Sequence, residues 1–220
     1  MNSSDRHPVL LVHGINDTRA IFQKMAPYLT NLGWSVYDLD LIPSNGEIGL
    51  DELGKQVADC VAQTFAPEQP FDLVGFSMGG IVSRYYVQRL GGLNRVGRFI
   101  TIASPHHGTW TAYALDQLGC IQMRPNSAFL QDLKWEATVL EQLNFTSIWT
   151  PFDLMIVPAN SSQMPIGQNV QVPVLTHAAM ITDPRSLSVV AQALSQPLKL
   201  NHQFEQDRNY QKSPQHESNT

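Results

Sequence analysis

One short stretch, an apolar run that turns at once into a helical pattern, constrains the fold of this chain more than any other. Residues 71–74 follow Pro70 and are mostly bulky and apolar, which predicts a strand, while apolar residues over 81–90 recur at helical spacing. Between them, Gly75-Phe76-Ser77-Met78-Gly79 matches the pattern G-x-S-x-G. Glycines allow the backbone to turn sharply enough to present a serine at a strand end and a helix start. Ser77 is therefore a candidate nucleophile, although a glycine-rich turn without chemistry fits the same five residues.

Strand and helix patterns alternate at short intervals along the chain. The continuous apolar run Val9–Val12 is typical of a strand buried on both faces, and the further predicted strands are 34–41, 96–103, 145–149 and 170–175. Thr18 can cap a first helix that Gly33 ends, and further helical patterns cover 50–65 and 187–194, with an inserted helical segment over about 109–143 after the fourth strand. This alternation predicts an α/β fold with a mostly parallel sheet of about six strands and helices on both faces.

The length of 220 residues and the ordinary apolar content of 43% indicate one domain, placed at residues 1–196. The polar segment 197–220 is predicted to be a disordered tail. A net charge of −5 without a basic stripe argues against a nucleic-acid partner. The two cysteines, Cys60 and Cys120, are too few for a disulfide framework.

Two further expectations concern location. No run reaches the roughly 18 apolar residues that a membrane-spanning helix needs. The first eight residues lead straight into a strand pattern without the apolar core of a signal peptide, so we expect a cytoplasmic protein.

A serine hydroxyl needs a base to take its proton, and the base needs a carboxylate to hold it. In parallel-sheet enzymes built on this turn, the acid and then the base follow the serine along the chain. His7 and His13 precede Ser77, and no acidic residue lies between Ser77 and the pair His106-His107. His202 and His216 lie in the predicted tail, which leaves His177, at the end of a predicted strand, as the candidate base.

Five acidic residues lie between Ser77 and His177. Four belong to the helical insertion, where carboxylates normally form a solvated face: Asp116, Asp132, Glu136 and Glu141. Asp153 alone follows a predicted strand, at the sheet edge that also carries Ser77 and His177. We therefore predict a triad of Ser77, Asp153 and His177, against the alternatives of a turn-forming aspartate and a core histidine.

Two backbone N–H groups should stabilise the charge that develops on the substrate oxygen. Met78, directly after the nucleophile, and Ile15, after His13-Gly14 in the loop that follows the first strand, are the candidates. His13 is expected to orient this loop rather than act as a base. His106-His107 is not expected to bind zinc, because adjacent side chains point different ways and no nearby acid or cysteine completes a site.

Three motifs together, residues 9–14, 75–80 and 103–109, resemble those of the α/β-hydrolase lipases and esterases, most of all the small bacterial triacylglycerol lipases. The segment 122–130 is also similar to one that is common in those lipases. The resemblance covers most of residues 8–195 and implies a minimal form of that fold, since only seven residues precede the predicted first strand at Pro8-Val9. It implies that Ser77 is the nucleophile, Asp153 the acid and His177 the base, with Ile15 and Met78 forming the oxyanion hole.

The resemblance implies a serine hydrolase for lipid or other acyl esters, a lipase or carboxylesterase, which needs neither a metal nor an organic cofactor. Apolar residues of the insertion could line an acyl groove or simply pack the insertion onto the core. A thioesterase or an amide or lipid-anchor deacylase would use the same triad. A non-catalytic binding protein with this fold is a further alternative, which the complete set of Ser, Asp and His positions disfavours.

Overall fold

A computed structural model describes residues 6–199 of the chain. Its centre is one sheet of six strands in the order β2-β1-β3-β4-β5-β6, and all five strand pairs are parallel. The strands are β1 (Val9–Val12), β2 (Val36–Leu39), β3 (Phe71–Phe76), β4 (Val96–Ile102), β5 (Asn144–Trp149) and β6 (Gln168–Gln171). Because all strands run the same way, the loops at their carboxyl ends lie along a single edge of the sheet.

Residues 6–199 contain six α-helices, of which the last follows β6 and the others lie between strands: α1 (Met25–Asn31), α2 (Leu50–Thr64), α3 (Met78–Arg89), α4 (Leu118–Gln122), α5 (Ala128–Trp135) and α6 (Pro184–Leu194). Short 3-10 helices lie at Arg19–Phe22, Gly92–Asn94, Trp110–Ala114, Ala137–Gln142, Ala159–Ser162 and Ala178–Ile181. The segment from Trp110 to Gln142 between β4 and β5 is the helical insertion that the sequence predicts.

Two hydrophobic layers enclose the sheet, one on each face. The side chains of β1 alternate between them: Leu10 and Val12 pack in the layer of α2, α3 and the insertion, and Val9 and Leu11 in the layer of α1 and α6. All four are fully buried. This two-sided burial explains why β1 is a continuous apolar run, and it confirms the predicted α/β fold class.

The chain leaves β1 for β2 on one side and returns to β3 on the other. The helices after β1 and β3 therefore cover opposite faces of the sheet, and a crevice opens between the two strand ends. The start of α3 packs tightly against β1 here. A Cβ on Gly79 would collide with the carbonyl oxygens of Val12 and His13, so only glycine fits.

Two predicted elements differ from the structure. The last strand was expected over 170–175 but covers Gln168–Gln171, because Pro173 has no N–H with which to continue the ladder. The first helix, predicted to run from a Thr18 cap to Gly33, is split into a 3-10 turn, which Thr18 does cap, and a later α1. Pro27 is tolerated only in the first turn of a helix, which keeps α1 from starting earlier.

The chain after α6 folds back toward the amino end of the sheet. Gln196 accepts hydrogen bonds from the Arg98 guanidinium, and Pro197 accepts one from Asn144. Residues 200–220, most of the predicted tail, lie outside the described residues. Within residues 6–199, no helix has the length and apolar character needed to cross a membrane.

Candidate active site

Ser77 occupies the turn between β3 and α3 with φ 54° and ψ −124°. A positive φ is unusual for a residue with a side chain and stores about 1–3 kcal/mol of strain. The neighbouring glycines allow the turn, since a Cβ on Gly75 would lie 2.5 Å from Gly80 Cα. The serine N–H donates to Ile102 O at 2.8 Å, which fixes the turn to the end of β4. This geometry is that of the nucleophile elbow predicted from the sequence.

Asp153 and His177 are hydrogen-bonded to each other at the same edge of the sheet. Asp153 Oδ2 lies 2.8 Å from His177 Nδ1, and Asp153 Oδ1 accepts from the N–H groups of Met155 and Ile156, both at 2.9 Å. The carboxylate is almost completely buried, so these three donors hold it in one orientation. Because a carboxylate accepts, Nδ1 carries the proton and Nε2 of the neutral imidazole is left to accept one.

His177 also lies beside the strand that ends at the serine. Its ring centre is 4.8 Å from that of Phe76, the residue before Ser77. Within residues 6–199, Ser77 Oγ makes no hydrogen bond, either with His177 or with another group. The structure therefore brings Asp153 and His177 into contact and places Ser77 nearby without a closed serine–histidine bond, as is common in free enzymes.

The four other acidic candidates are solvent-exposed. Asp116 pairs with Arg124, while Asp132 and Glu136 pair with Arg89 at the far end of α3. Their exposure matches the solvated face that the sequence indicates for the insertion.

His13 is buried and holds the loop that carries Ile15. The Leu41 N–H donates to His13 Nε2 at 2.9 Å, so the proton is on Nδ1, which donates to Gly14 O at 2.9 Å. In a planar trans peptide the carbonyl and the N–H point in opposite directions, so the anchored Gly14 carbonyl sets the direction of the Ile15 N–H. The N–H groups of Ile15 and Met78 make no hydrogen bond within residues 6–199.

A cavity of about 250 Å³ opens beside Ser77. Its walls come from the loop after β1, the insertion and the loop after β5, and they are mainly apolar: Ile15, Ala112, Leu115, Met123, Met155 and Ile156. Two larger depressions, of about 480 and 440 Å³, lie away from Ser77. Both are lined by residues of the segment 195–199 after α6, and the second is also lined by residues at the end of α1. The cavity beside Ser77 is the one that joins a candidate nucleophile to an apolar volume.

Asp17 is a site residue that the sequence patterns did not single out. Its Oδ2 lies 3.3 Å from where a Gly14 Cβ would be, and Ser77 Cβ lies 3.0 Å from the same point. The two atoms are thus at most about 6.3 Å apart, the sum of those distances. Partial burial raises the pKa of Asp17, while His13 and His177 act in the opposite direction. In the sequence, the one signal for Asp17 was its position three residues after Gly14. The path of the loop determines how close its carboxylate comes to Ser77.

His106, the first of the two adjacent histidines after β4, anchors its loop in the core. His106 is buried against Phe145, with Nε2 2.9 Å from Thr101 Oγ1, and burial keeps its pKa well below the ordinary value. Arg84 of α3 donates to the carbonyls of His106 and Leu133, and its burial lowers its pKa to about 10. Among residues 6–199, no three His, Cys, Asp or Glu side chains are grouped as metal ligands would be.

Solved structures with the same fold include lipases and a further hydrolase. The mature lipase BlEst2 of Bacillus licheniformis aligns with a TM-score of 0.71 and 15% identity over 86% of this chain and 92% of its own. Lipase B of Aspergillus fumigatus aligns with a TM-score of 0.74 and 18% identity over 90% of this chain and 54% of its own. An extracellular α/β-hydrolase from a Paenibacillus species gives 0.60 and 14% over 85% and 98%.

At these identities the structural neighbours establish the fold, which confirms the resemblance to α/β-hydrolase lipases and esterases. The sequence itself gives a more specific match. The model of the palmitoyl protein thioesterase family matches residues 8–152, a span from just before β1 to just before Asp153. The chain belongs to the palmitoyl protein thioesterase family, a group of hydrolases with the α/β-hydrolase fold.

Proposed function

We propose that this hydrolase cleaves acyl esters through a covalent intermediate on Ser77. The observation that carries the proposal is the buried hydrogen bond between Asp153 and His177 at the strand edge where the strained Ser77 turn lies. A carboxylate that fixes a histidine tautomer next to a serine elbow is the arrangement that activates a hydroxyl for acyl transfer.

In the first step, Ser77 Oγ attacks the substrate carbonyl carbon while His177 Nε2 accepts the hydroxyl proton. Asp153 stabilises the resulting imidazolium, and the N–H groups of Ile15 and Met78 bind the oxyanion. The tetrahedral intermediate collapses as the imidazolium protonates the leaving alcohol. Water then attacks the acyl-enzyme with His177 again accepting the proton, which releases the acid and restores Ser77.

The apolar cavity beside Ser77 supports an acyl group with a hydrocarbon chain as substrate. Leu115, Met123 and Met155 offer it contacts without a hydrogen-bonding demand, which suits a lipase or a carboxylesterase for lipid esters. We propose no metal or organic cofactor in this reaction. The cytoplasmic location expected from the sequence stays a prediction.

Thioester hydrolysis is the second candidate, and the match to the palmitoyl protein thioesterase family favours it specifically. The same triad would attack a thioester carbonyl, and a thiolate leaves more readily than an alkoxide because the thiol is the stronger acid. Amide hydrolysis would need the same residues with a poorer leaving group, whereas removal of a lipid anchor that is held as a thioester would release the same kind of thiolate.

One set of substrates separates these candidates. Esters and thioesters with the same acyl group, from acetyl to palmitoyl, should be compared with the wild type and Ser77→Ala. We expect hydrolysis that depends on Ser77, with Ser77→Ala slower by about 10⁴-fold or more. A maximum at short chains would contradict the lipase assignment, and a consistent thioester preference would select the second candidate. Absence of turnover on every substrate would favour a binding protein with this fold.

A further inference from the structure

Asp17 places a carboxylate beside the candidate nucleophile, in the loop that follows β1. The missing side chain of Gly14 leaves a small space there. Measured from the point that a Gly14 Cβ would occupy, Ser77 Cβ lies at 3.0 Å, Asp17 Oδ2 at 3.3 Å and Phe76 Cδ1 at 3.5 Å. The Asp17 carboxylate and the serine therefore border the same space.

The side chain of Asp17 has no partner among residues 6–199. Its backbone carbonyl accepts from Ser44 Oγ at 2.9 Å, which fixes the loop, but its carboxylate takes part in no hydrogen bond and no ion pair. The next cation along the chain, Arg19, is already shared by Asp38 and Asp40, at 4.0 and 3.3 Å. A half-buried carboxylate without a counter-charge is costly for the protein alone and favours a cation that arrives with a ligand.

Asp17 is separate from the apolar cavity and close to the candidate base. It does not line the cavity, although Asn16 and Ser77 do. It lies instead beside Phe76, whose ring centre is 4.8 Å from that of His177. Burial is the larger effect on Asp17 and raises its pKa, but His177 is near enough to act in the opposite direction. The Asp17 carboxylate therefore belongs to the histidine side of the site.

The proposed chemistry indicates which part of a substrate comes close to Asp17. The acyl chain occupies the apolar cavity, and His177 protonates the atom that leaves. The alcohol or thiol part must then extend from the carbonyl toward His177, on the side where Asp17 lies. A carboxylate in this position attracts a positive charge on the leaving group and repels a negative one, and its partial burial weakens screening by water and salt.

We propose that Asp17 selects substrates whose alcohol or thiol part carries a positive charge near the bond that is cleaved. The proposal rests on the proposed acyl transfer at Ser77 and adds the chemical class of the leaving group. It requires no proton transfer to or from Asp17. An ammonium group two carbons from the ester oxygen, as in a choline ester, is the simplest example.

Two esters of the same shape measure this preference. Hexanoylcholine and neohexyl hexanoate have the same acyl group, and their leaving groups differ in the charged nitrogen that replaces a carbon. The quantity compared is the ratio of kcat/KM for the charged ester to that for the neutral ester, because an effect on the triad acts on both esters and cancels in the ratio. Since burial raises the pKa of Asp17, the rates are measured in low salt at about pH 8.

The variants are Asp17→Asn, Asp17→Glu, which keeps the charge, and Asp132→Asn as the control. Asp132→Asn removes the same charge from an exposed residue that pairs with Arg89 at the end of α3. We expect Asp17→Asn to lower the ratio by about fivefold or more, and the other two variants to keep it within about twofold of the wild type. In the wild type the ratio should also fall as salt is added, a measurement that needs no variant.

Binding to Ser77→Ala separates this proposal from the proposed hydrolysis. This variant cannot form the acyl-enzyme, so calorimetry can measure its affinity for both intact esters. We expect the ratio of the two affinities to favour hexanoylcholine by about fivefold or more over the ratio in Asp17→Asn/Ser77→Ala. If the wild type hydrolysed neither ester but this difference were found, the hydrolysis would be contradicted and the role of Asp17 supported.

Three results would overturn the proposal. The first is an equal loss of turnover on both esters in Asp17→Asn, which would assign Asp17 to the triad or to the structure of its loop. The second is the same change of ratio in Asp132→Asn, which would assign the effect to the net charge of the protein. The third is an affinity ratio that is equal with and without Asp17, or the absence of binding of either ester.

Discussion

At the scale of single residues, Asp153 is defined by what its carboxylate accepts. Both of its oxygens are engaged, one by two backbone N–H groups and the other by His177 Nδ1. Three of the four exposed acids of the insertion, Asp116, Asp132 and Glu136, pair with arginines instead. A carboxylate that is buried, fully hydrogen-bonded and fixed to an imidazole is suited to stabilise a positive charge that appears only during reaction.

Replacing Asp153 by asparagine tests this role. The amide oxygen can keep the bonds to Met155 and Ile156, but its NH₂ group would face Nδ1 and favour the wrong tautomer of His177. We expect kcat on an acyl ester to fall by about 10⁴-fold, with a melting temperature close to that of the wild type. Asp116→Asn, which removes an exposed charge, is the control. Near-normal turnover of Asp153→Asn would mean that another residue supplies the acid.

We regard His13 as a residue that positions the Gly14–Ile15 peptide. It acts on the substrate oxygen only through the Gly14–Ile15 peptide that it holds. In His13→Gln we expect kcat to fall by about 10²–10³-fold, as for the loss of an oxyanion-hole donor, while KM changes little. The Leu41 N–H loses its acceptor at the same time, so the melting temperature should also fall. A lower melting temperature with unchanged kcat would restrict His13 to a structural role.

At the scale of elements, the strands and helices bring the candidate site residues together because their ends meet at one edge of the sheet. Runs buried on both faces made β1 and β3 predictable, and helical spacing did so for α2 and α6, since both patterns reflect the two core layers. The end of β6 was not predictable from apolar residues, because Val172 and Val174 are buried outside any strand. The position of Asp17 near Ser77 was not predicted from the sequence for a related reason. Its proximity to Ser77 comes from the path of a loop, which no periodic pattern records.

A further prediction concerns the start of α6. Asp183 caps α6 by accepting from the Arg185 N–H at 2.9 Å, and the Arg185 side chain, followed by this N–H, lowers the pKa of Asp183 to about 2. We expect Asp183→Ala to cost about 1 kcal/mol in the free energy of unfolding at pH 7. The pKa of Asp183 is lower in the folded than in the unfolded protein, so the stabilisation by its charge is complete at pH values above the ordinary pKa of aspartate. This stabilisation disappears as the pH falls through about 2.

Urea unfolding at neutral and at acidic pH measures this difference. The gap between the wild type and Asp183→Ala should narrow as the pH is lowered toward 2. A gap of the same size at both pH values would show that the charge of Asp183 does not contribute to the cap.

At the scale of the whole molecule, the candidate site and a buried ion pair lie at opposite edges of the sheet. Ser77, Asp153 and His177 follow strand ends at the carboxyl edge. Near the amino edge, the fully buried Asp72 pairs with Arg98 at 2.9 Å, and Arg98 also binds Gln196 O. This cluster joins β3, β4 and the segment after α6. The Asp72–Arg98 pair thus supports the fold at a distance from the candidate site.

The variant Asp72→Asn tests whether stability at the amino edge and turnover at the carboxyl edge are independent. Removing one partner leaves the Arg98 guanidinium buried without its counter-charge, so we expect a loss of about 3–5 kcal/mol in the free energy of unfolding. Turnover per folded molecule should stay within about twofold of the wild type, since additivity holds for distant sites. Guanidinium unfolding and ester hydrolysis at low temperature measure the two quantities. A large loss of kcat in the folded variant would show that the edges are coupled.

The central claim is that Ser77 is an activated nucleophile, and covalent labelling tests it most directly. A fluorophosphonate probe should be applied to the wild type, Ser77→Ala and Ser83→Ala, followed by mass mapping of the modified peptide. Ser83 is a buried serine of α3, the helix that Ser77 precedes, and serves as the control. We expect one adduct, on Ser77, in the wild type and in Ser83→Ala, and none in Ser77→Ala. An unlabelled wild type, or equal labelling of Ser77→Ala, would contradict it.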